Sequence, residues 1–158
     1  MSPIINIRDM IQEMDVFDDN FKEFLNIRTG EFVTLSDEDM GAAEEGEPLD
    51  DYPDWHKEVI QKAKDVLFTD DYLALPSQFE IHEYEIMKSF CYTVEDDELR
   101  DNLLNGISGR GAFRIFKLMI YEHEITDDWY EYRHQAFREI ARDWLENHNI
   151  AYTEENED

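Results

Sequence analysis

Two charged residues stand where helical periodicity calls for apolar ones. Stepping 100° per residue along 78–94 puts Tyr84, Met87, Phe90, Cys91 and Val94 on one stripe, and Glu83 falls inside it. The same stepping along 127–147 gathers Trp129, Ala136, Phe137, Ile140 and Trp144, with Arg133 near their centre and Arg138 and Arg142 on the opposite side. A charge on a buried face must find a partner, reach water along its stem, or change its ionisation. The expectation is a structural ion pair that fixes how two helices dock, with Glu83 and Arg133 paired to each other or to other charges. The chemical alternative is a carboxylate raised by burial to act as acid or base. That needs a cleft and a second reacting group, and the sequence points to none. No catalytic residue is assigned.

A second constellation is Ser108-Gly-Arg-Gly-Ala-Phe-Arg-Ile-Phe-Lys117, which concentrates glycines, aromatics and three of the 14 lysines and arginines. On a helix read over 110–123, Arg110, Arg114 and Lys117 share one narrow sector with Tyr121. As a binding site, Gly109 and Gly111 would let N–H groups at a helix N-terminus cradle an anion that Arg110 and Arg114 complete. As structure, the glycines end one helix and start the next, and the cations pair with some of the many carboxylates. The structural reading is favoured. Gly106-Ile-Ser-Gly-Arg-Gly111 has the spacing of neither the P-loop nor the dinucleotide fingerprint, and it follows a helix rather than a strand.

The other reactive side chains form no pattern. None of His56, His82, His123, His134 and His148 has His-Glu-x-x-His spacing, and a lone cysteine gives little basis for zinc. His123 projects onto the apolar side of its helix as a core histidine, and Cys91 lies on a core stripe as inert packing. Asp37-Glu-Asp-Met-Gly41 invites a calcium reading. An EF-hand loop with its glycine at 41 would start at Ser36, put Met40 fifth and close at Glu47; methionine cannot ligate calcium and serine is a poor first ligand. No metal and no cofactor is expected.

The elements that must hold these residues read as α+β, mostly helical, with a small antiparallel β-hairpin near the N-terminus. Ile7, Met10, Ile11 and Met14 recur at helical spacing behind Asn6 as cap. Phe24–Ile27 and Glu31–Leu35 are β-prone runs separated by Arg28-Thr-Gly30, a hairpin signal. Residues 36–52 read as a mobile acidic loop, with Gly41, Gly46 and Pro48 and almost no large apolar residue. Pro53 suits the first position of a helix whose apolar face holds Trp55, Val59, Ala63, Val66 and Leu67. Tyr72–Leu75 is an extended run that can lie beside the hairpin. Helices follow over 78–94, 96–107, 110–123 and 127–147, the last capped by Thr126. No repeat or linker divides the chain, so 1–150 reads as a single domain and 151–158 as an acidic tail.

The charge is large and uneven. The 158 residues carry 40 acids against 14 bases, a formal charge of -26. Seven bases and seven acids fall between Arg100 and Arg142, so that window is neutral and the remainder carries all the excess. Such a field repels nucleic-acid phosphates and anionic membranes and favours a basic protein partner. Duplex DNA is not an expected ligand. No apolar run approaches the ~20 residues of a bilayer span. The N-terminus shows no basic segment followed by an apolar one, and a single cysteine fits a reducing compartment, so a cytoplasmic protein is expected.

Leu75-Pro-Ser-Gln-Phe-Glu-Ile-His-Glu-Tyr-Glu-Ile-Met87, Gly109-Arg-Gly-Ala-Phe-Arg-Ile-Phe-Lys117, and Trp129-Tyr-Glu-Tyr-Arg133 with Ala141-Arg-Asp-Trp-Leu145 together resemble uncharacterised protein family 0158 of bacteria. The similarity runs over roughly residues 4 to 150, and three separated motifs in order make it fairly specific. It implies a stand-alone bacterial cytosolic domain and carries over no activity, cofactor or catalytic residue. Three functions stay open: a non-enzymatic interaction or regulatory protein using an aromatic–basic surface around Arg114 and Trp129 or its acidic face; a nucleotide or RNA binder working through the Arg110–Lys117 sector; and an enzyme of unrecognised type. The first is favoured.

Overall fold

The computed structural model describes residues 2–15, 20–46 and 48–154 of an α+β protein. Its backbone falls into two compact units, Met1–Ser77 with Ala141–Asp158, and Gln78–Ile140.

In the first unit, β1 (Ile5–Asn6) leads directly into α1 (Ile7–Met14). The Asn6 side chain accepts from the Arg8 N–H, and Ile7, Met10, Ile11 and Met14 are all buried, as their spacing predicts. β2 (Phe21–Asn26) pairs antiparallel with β3 (Phe32–Ser36) on one side and with β4 (Tyr72–Ala74) on the other, giving the order β3-β2-β4. Successive strand residues face opposite ways. Phe24 and Leu25 are both buried, so β2 is covered on both faces.

The acidic segment departs from the loop expected over 36–52. Asp37–Glu45 forms a helix, α2, followed by a single 3-10 turn at Leu49–Asp51. Ser36 caps it by accepting from the Asp39 N–H, and Asp37, Glu38 and Asp39 lie against its positive end. Gly46 ends it in the left-handed region (φ 70°), its N–H bonded back to Ala42 and Ala43 carbonyls. Capping and dipole thus supply what the apolar count lacks. One small residue anchors the helix: Ala43 is buried with Phe24, Leu35, Ile60 and Ala63, and Met40 packs against them. Glu47, the closing ligand of the calcium reading, lies outside the described residues.

Pro53 stands one position before α3 (Asp54–Phe68) as its cap. Ile60 and Ala63 are the buried positions of α3 and Val59 and Val66 pack against the same core, as the sequence face predicts, whereas Trp55 (67% exposed) and Leu67, read onto that face, are exposed. The tail assigned to 151–158 begins with β5 (Tyr152–Thr153), which pairs in parallel with β1. Arg142 Nη2 donates to Glu154 at 2.9 Å; residues 155–158 lie outside the described residues.

In the second unit the helix read over 78–94 is two: α4 (Gln78–Ile81) and α5 (Glu83–Thr93), separated by His82 in the left-handed region (φ 55°). α6 (Asp97–Gly106) starts from Asp96, whose side chain accepts from the Glu98 and Leu99 N–H groups. α7 (Ala112–Glu122) starts behind Gly111, so Arg110 precedes the helix instead of opening it. α8 (Thr126–Asn147) supplies its part up to Ile140 here and the rest to the first unit. An aromatic cluster forms the centre. Phe116 and Trp129 lie 4.9 Å apart between ring centroids, and Phe90 meets Trp129 at 5.4 Å and Tyr132 at 5.5 Å. Edge-on ring geometry of this kind adds to plain burial.

Candidate functional site

The two charges singled out on apolar stripes meet. Arg133 Nε donates to Glu83 Oε1 at 2.6 Å, joining the first turn of α5 to α8, with the side chains 15% and 23% exposed. The guanidinium carbon also lies 4.3 Å from the centre of the Phe137 ring, a cation–π placement. This contact has the geometry of a docking contact between two helices.

The Arg110–Lys117 segment is arranged differently from its sequence reading. Phe113, Arg114, Lys117, Leu118 and Tyr121 line a shallow groove along α7. Arg110 is exposed in the turn ahead of the helix and is not among the lining residues. None of Arg110, Arg114 and Lys117 makes an ion pair or hydrogen bond among the described residues. The carboxylate partners expected for them are therefore not supplied within that part of the chain. Trp129, expected beside Arg114 on a surface, is 2% exposed and belongs to the aromatic cluster. His123, read as a core histidine, is exposed at the C-terminus of α7.

A second concavity, of about 590 Å³, was not read from the sequence. Phe90 and Tyr132 are its aromatic wall, and Glu95, Asp128 and Glu131 stand around it with Thr93 and Gln135. The three carboxylates make no ion pair or hydrogen bond among the described residues. Asp128, Glu131 and Gln135 recur at i, i+3 and i+7 on α8, a spacing that puts them on one helix face. That spacing was the available signal. What the sequence could not supply was the arrival of Glu95 from the end of α5.

Three further reactive groups, His56, Cys91 and Glu23, have defined surroundings. His56 Nε2 lies 2.6 Å from Asp39 Oδ1, tying α3 to α2, and the Trp55 ring stacks on the same imidazole at 4.9 Å. Cys91 is fully buried, and burial pushes its thiol up to about 11, which leaves no reactive thiolate near neutral pH. Glu23, on β2, has its carboxyl raised above the usual range, first by burial and then by the neighbouring charge of Glu13. One of its oxygens, Oε1, is buried with no hydrogen-bond partner among the described residues. No group of three or more His, Cys, Asp or Glu among the described residues is placed to hold a metal ion. No helix among them is long and apolar enough to cross a membrane.

Fold and surfaces define an α+β protein with two small exposed features, one edged by Glu95, Asp128 and Glu131 and one by Arg114 and Lys117. The chain belongs to Uncharacterised protein family UPF0158, whose model matches residues 1–158. It is similar to UPF0158 protein PA5073 of Pseudomonas aeruginosa (strain PAO1), 36% identical over 66 residues, which is 41% of this chain. The matched region spans 43% of that relative's length. No solved structure matches the chain.

Proposed function

We propose that this is a non-enzymatic cytosolic interaction or regulatory protein that holds a basic protein partner. The observation that carries the reading is the concavity bounded by Phe90 and Tyr132, with Glu95, Asp128 and Glu131 around it, unpaired among the described residues. Carboxylates that have no internal partner stay hydrated until an incoming lysine or arginine replaces that water. An aromatic face beside them favours a cation further. The long-range field agrees with the local one: a formal charge of -26 draws a basic partner inward and hastens encounter. Glu83 and Arg133, the residues that most invited a catalytic reading, bond to each other, which supports a structural role for them.

The test is calorimetric titration of the full chain with a lysine- and arginine-rich peptide, beside a glutamine-substituted control. Asp128→Asn with Glu131→Gln should weaken the basic peptide by about tenfold or more, roughly the loss of 1.4 kcal/mol. Raising salt should weaken it as well, because exposed charges are screened. Equal binding of both peptides, or a double variant that binds as well as the parent, would sink the reading.

A further inference from the structure

At least half of the 14 lysines and arginines are seated on a carboxylate of the chain itself, from Lys22 on Asp37 to Arg142 on Glu154. With 40 acids present, that is the expected fate of a cation. Arg114 and Lys117 escape it among the described residues. Beside them, Phe113, Leu118 and Tyr121 are 38%, 53% and 77% exposed. Positions 113, 117 and 121 repeat every fourth residue, and 114, 118 and 121 every third or fourth. The five therefore form one continuous outward stripe. Phe116 and Ile120, on the inward side, are buried. The outward stripe is thus a second apolar face of α7, edged by free positive charge.

We propose that this stripe docks a short acidic amphipathic segment of a partner protein, independently of the acid-ringed concavity. Apolar side chains along one face of the segment cover Phe113, Leu118 and Tyr121, and carboxylates at its edge take Arg114 and Lys117. Charge complementarity selects this occupant over two others. From Phe113 to Tyr121 the stripe extends about 12 Å at the helical rise of 1.5 Å per residue. A nucleic-acid strand brings a phosphate with every nucleotide, more negative charge than two cations match, to a chain of formal charge -26. A second copy docking the same stripe face to face would set Arg114 and Lys117 near their own counterparts, with like charges opposed. A short peptide places its few carboxylates on the cations and brings no further charge.

The probe is a fluorescein-labelled peptide of about 14 residues, long enough to sustain a helix, with leucines at i, i+3, i+4 and i+7 and glutamates flanking them. Fluorescence anisotropy with the full chain should show saturable binding. The same peptide with glutamine for glutamate should bind about tenfold more weakly or worse. Arg114→Gln with Lys117→Gln should cause a comparable loss with an unchanged thermal melt, since neither side chain has a partner to lose among the described residues. Tyr121→Ser should weaken both peptides. The proposal is overturned if the glutamine peptide binds equally, if the double variant binds as the parent does, or if a ten-nucleotide single strand binds more tightly at the same salt. Self-association in sedimentation that Arg114→Gln with Lys117→Gln abolishes would also overturn it, in favour of a second copy.

Discussion

Arg133 serves two neighbours at once: its Nε donates to Glu83 Oε1 at 2.6 Å while its guanidinium lies 4.3 Å from the Phe137 ring centre. Glu83 opens α5 and Arg133 is in α8, so the contact ties these two helices together. With the side chains 15% and 23% exposed, the pair lies between a surface bridge and a fully desolvated one.

Removing either member should therefore cost about 2–3 kcal/mol, between the small worth of exposed pairs and the larger cost of breaking buried ones. Glu83→Gln and Arg133→Met, measured singly and together by urea denaturation, form a double-mutant cycle. The double variant should lose clearly less than the two single losses combined. Additive losses would mean that the two side chains act separately.

The Glu23 carboxyl is raised above the usual 4.5 by burial and by Glu13. A carboxyl raised in the folded state binds its proton more tightly there than in the unfolded chain. Its stabilising contribution is present below 4.5 and is lost as pH rises through the raised value. Glu23→Gln should remove that slope, with a higher melting temperature than the parent at pH 7 and no such advantage at pH 4. Identical pH profiles for parent and variant would refute this account.

Ser36→Ala removes the acceptor of the Asp39 N–H and should cost about 1 kcal/mol. The loss should concentrate in α2, so a glutamate-directed protease should cut after Glu44 and Glu45 faster in the variant. Cleavage of the parent there at the same rate would mean that the cap does not hold the helix.

Cys91 should resist iodoacetamide in the folded protein at pH 8 and react at once in denaturant, because burial both blocks access and holds the thiol near 11. Rapid labelling of the native state would show that α5 opens far more readily than its packing implies.

Periodicity was a good guide wherever apolar residues were plentiful. α1 could be read from four buried residues and its cap, and the change to period two marked β2 and β3. It failed where other forces form the element. α2 buries one alanine and is held by Ser36, three first-turn acids and Gly46, so counting apolar residues missed it. The break at His82 has no glycine or proline to announce it. The candidate surfaces were harder still, because exposure is decided by which neighbour arrives. Trp129, which helical stepping put on an apolar face and the functional reading put on a surface beside Arg114, is buried against Phe90 and Phe116, while Trp55, placed on an apolar face, is left exposed and stacked on His56. Arg133 and Glu83 were legible because a charge on an apolar stripe has few ways to be accommodated.

The parallel ladder of Ile5–Asn6 with Tyr152–Thr153 fastens the chain into a ring. Closing so long a loop costs entropy that local contacts do not, so this fastening should form after the helices and part before them. Between its two halves lies nearly the whole polypeptide. A single nick in a connecting turn would therefore leave two fragments still clasped at β1 and β5, migrating as one particle until a denaturant opened the clasp.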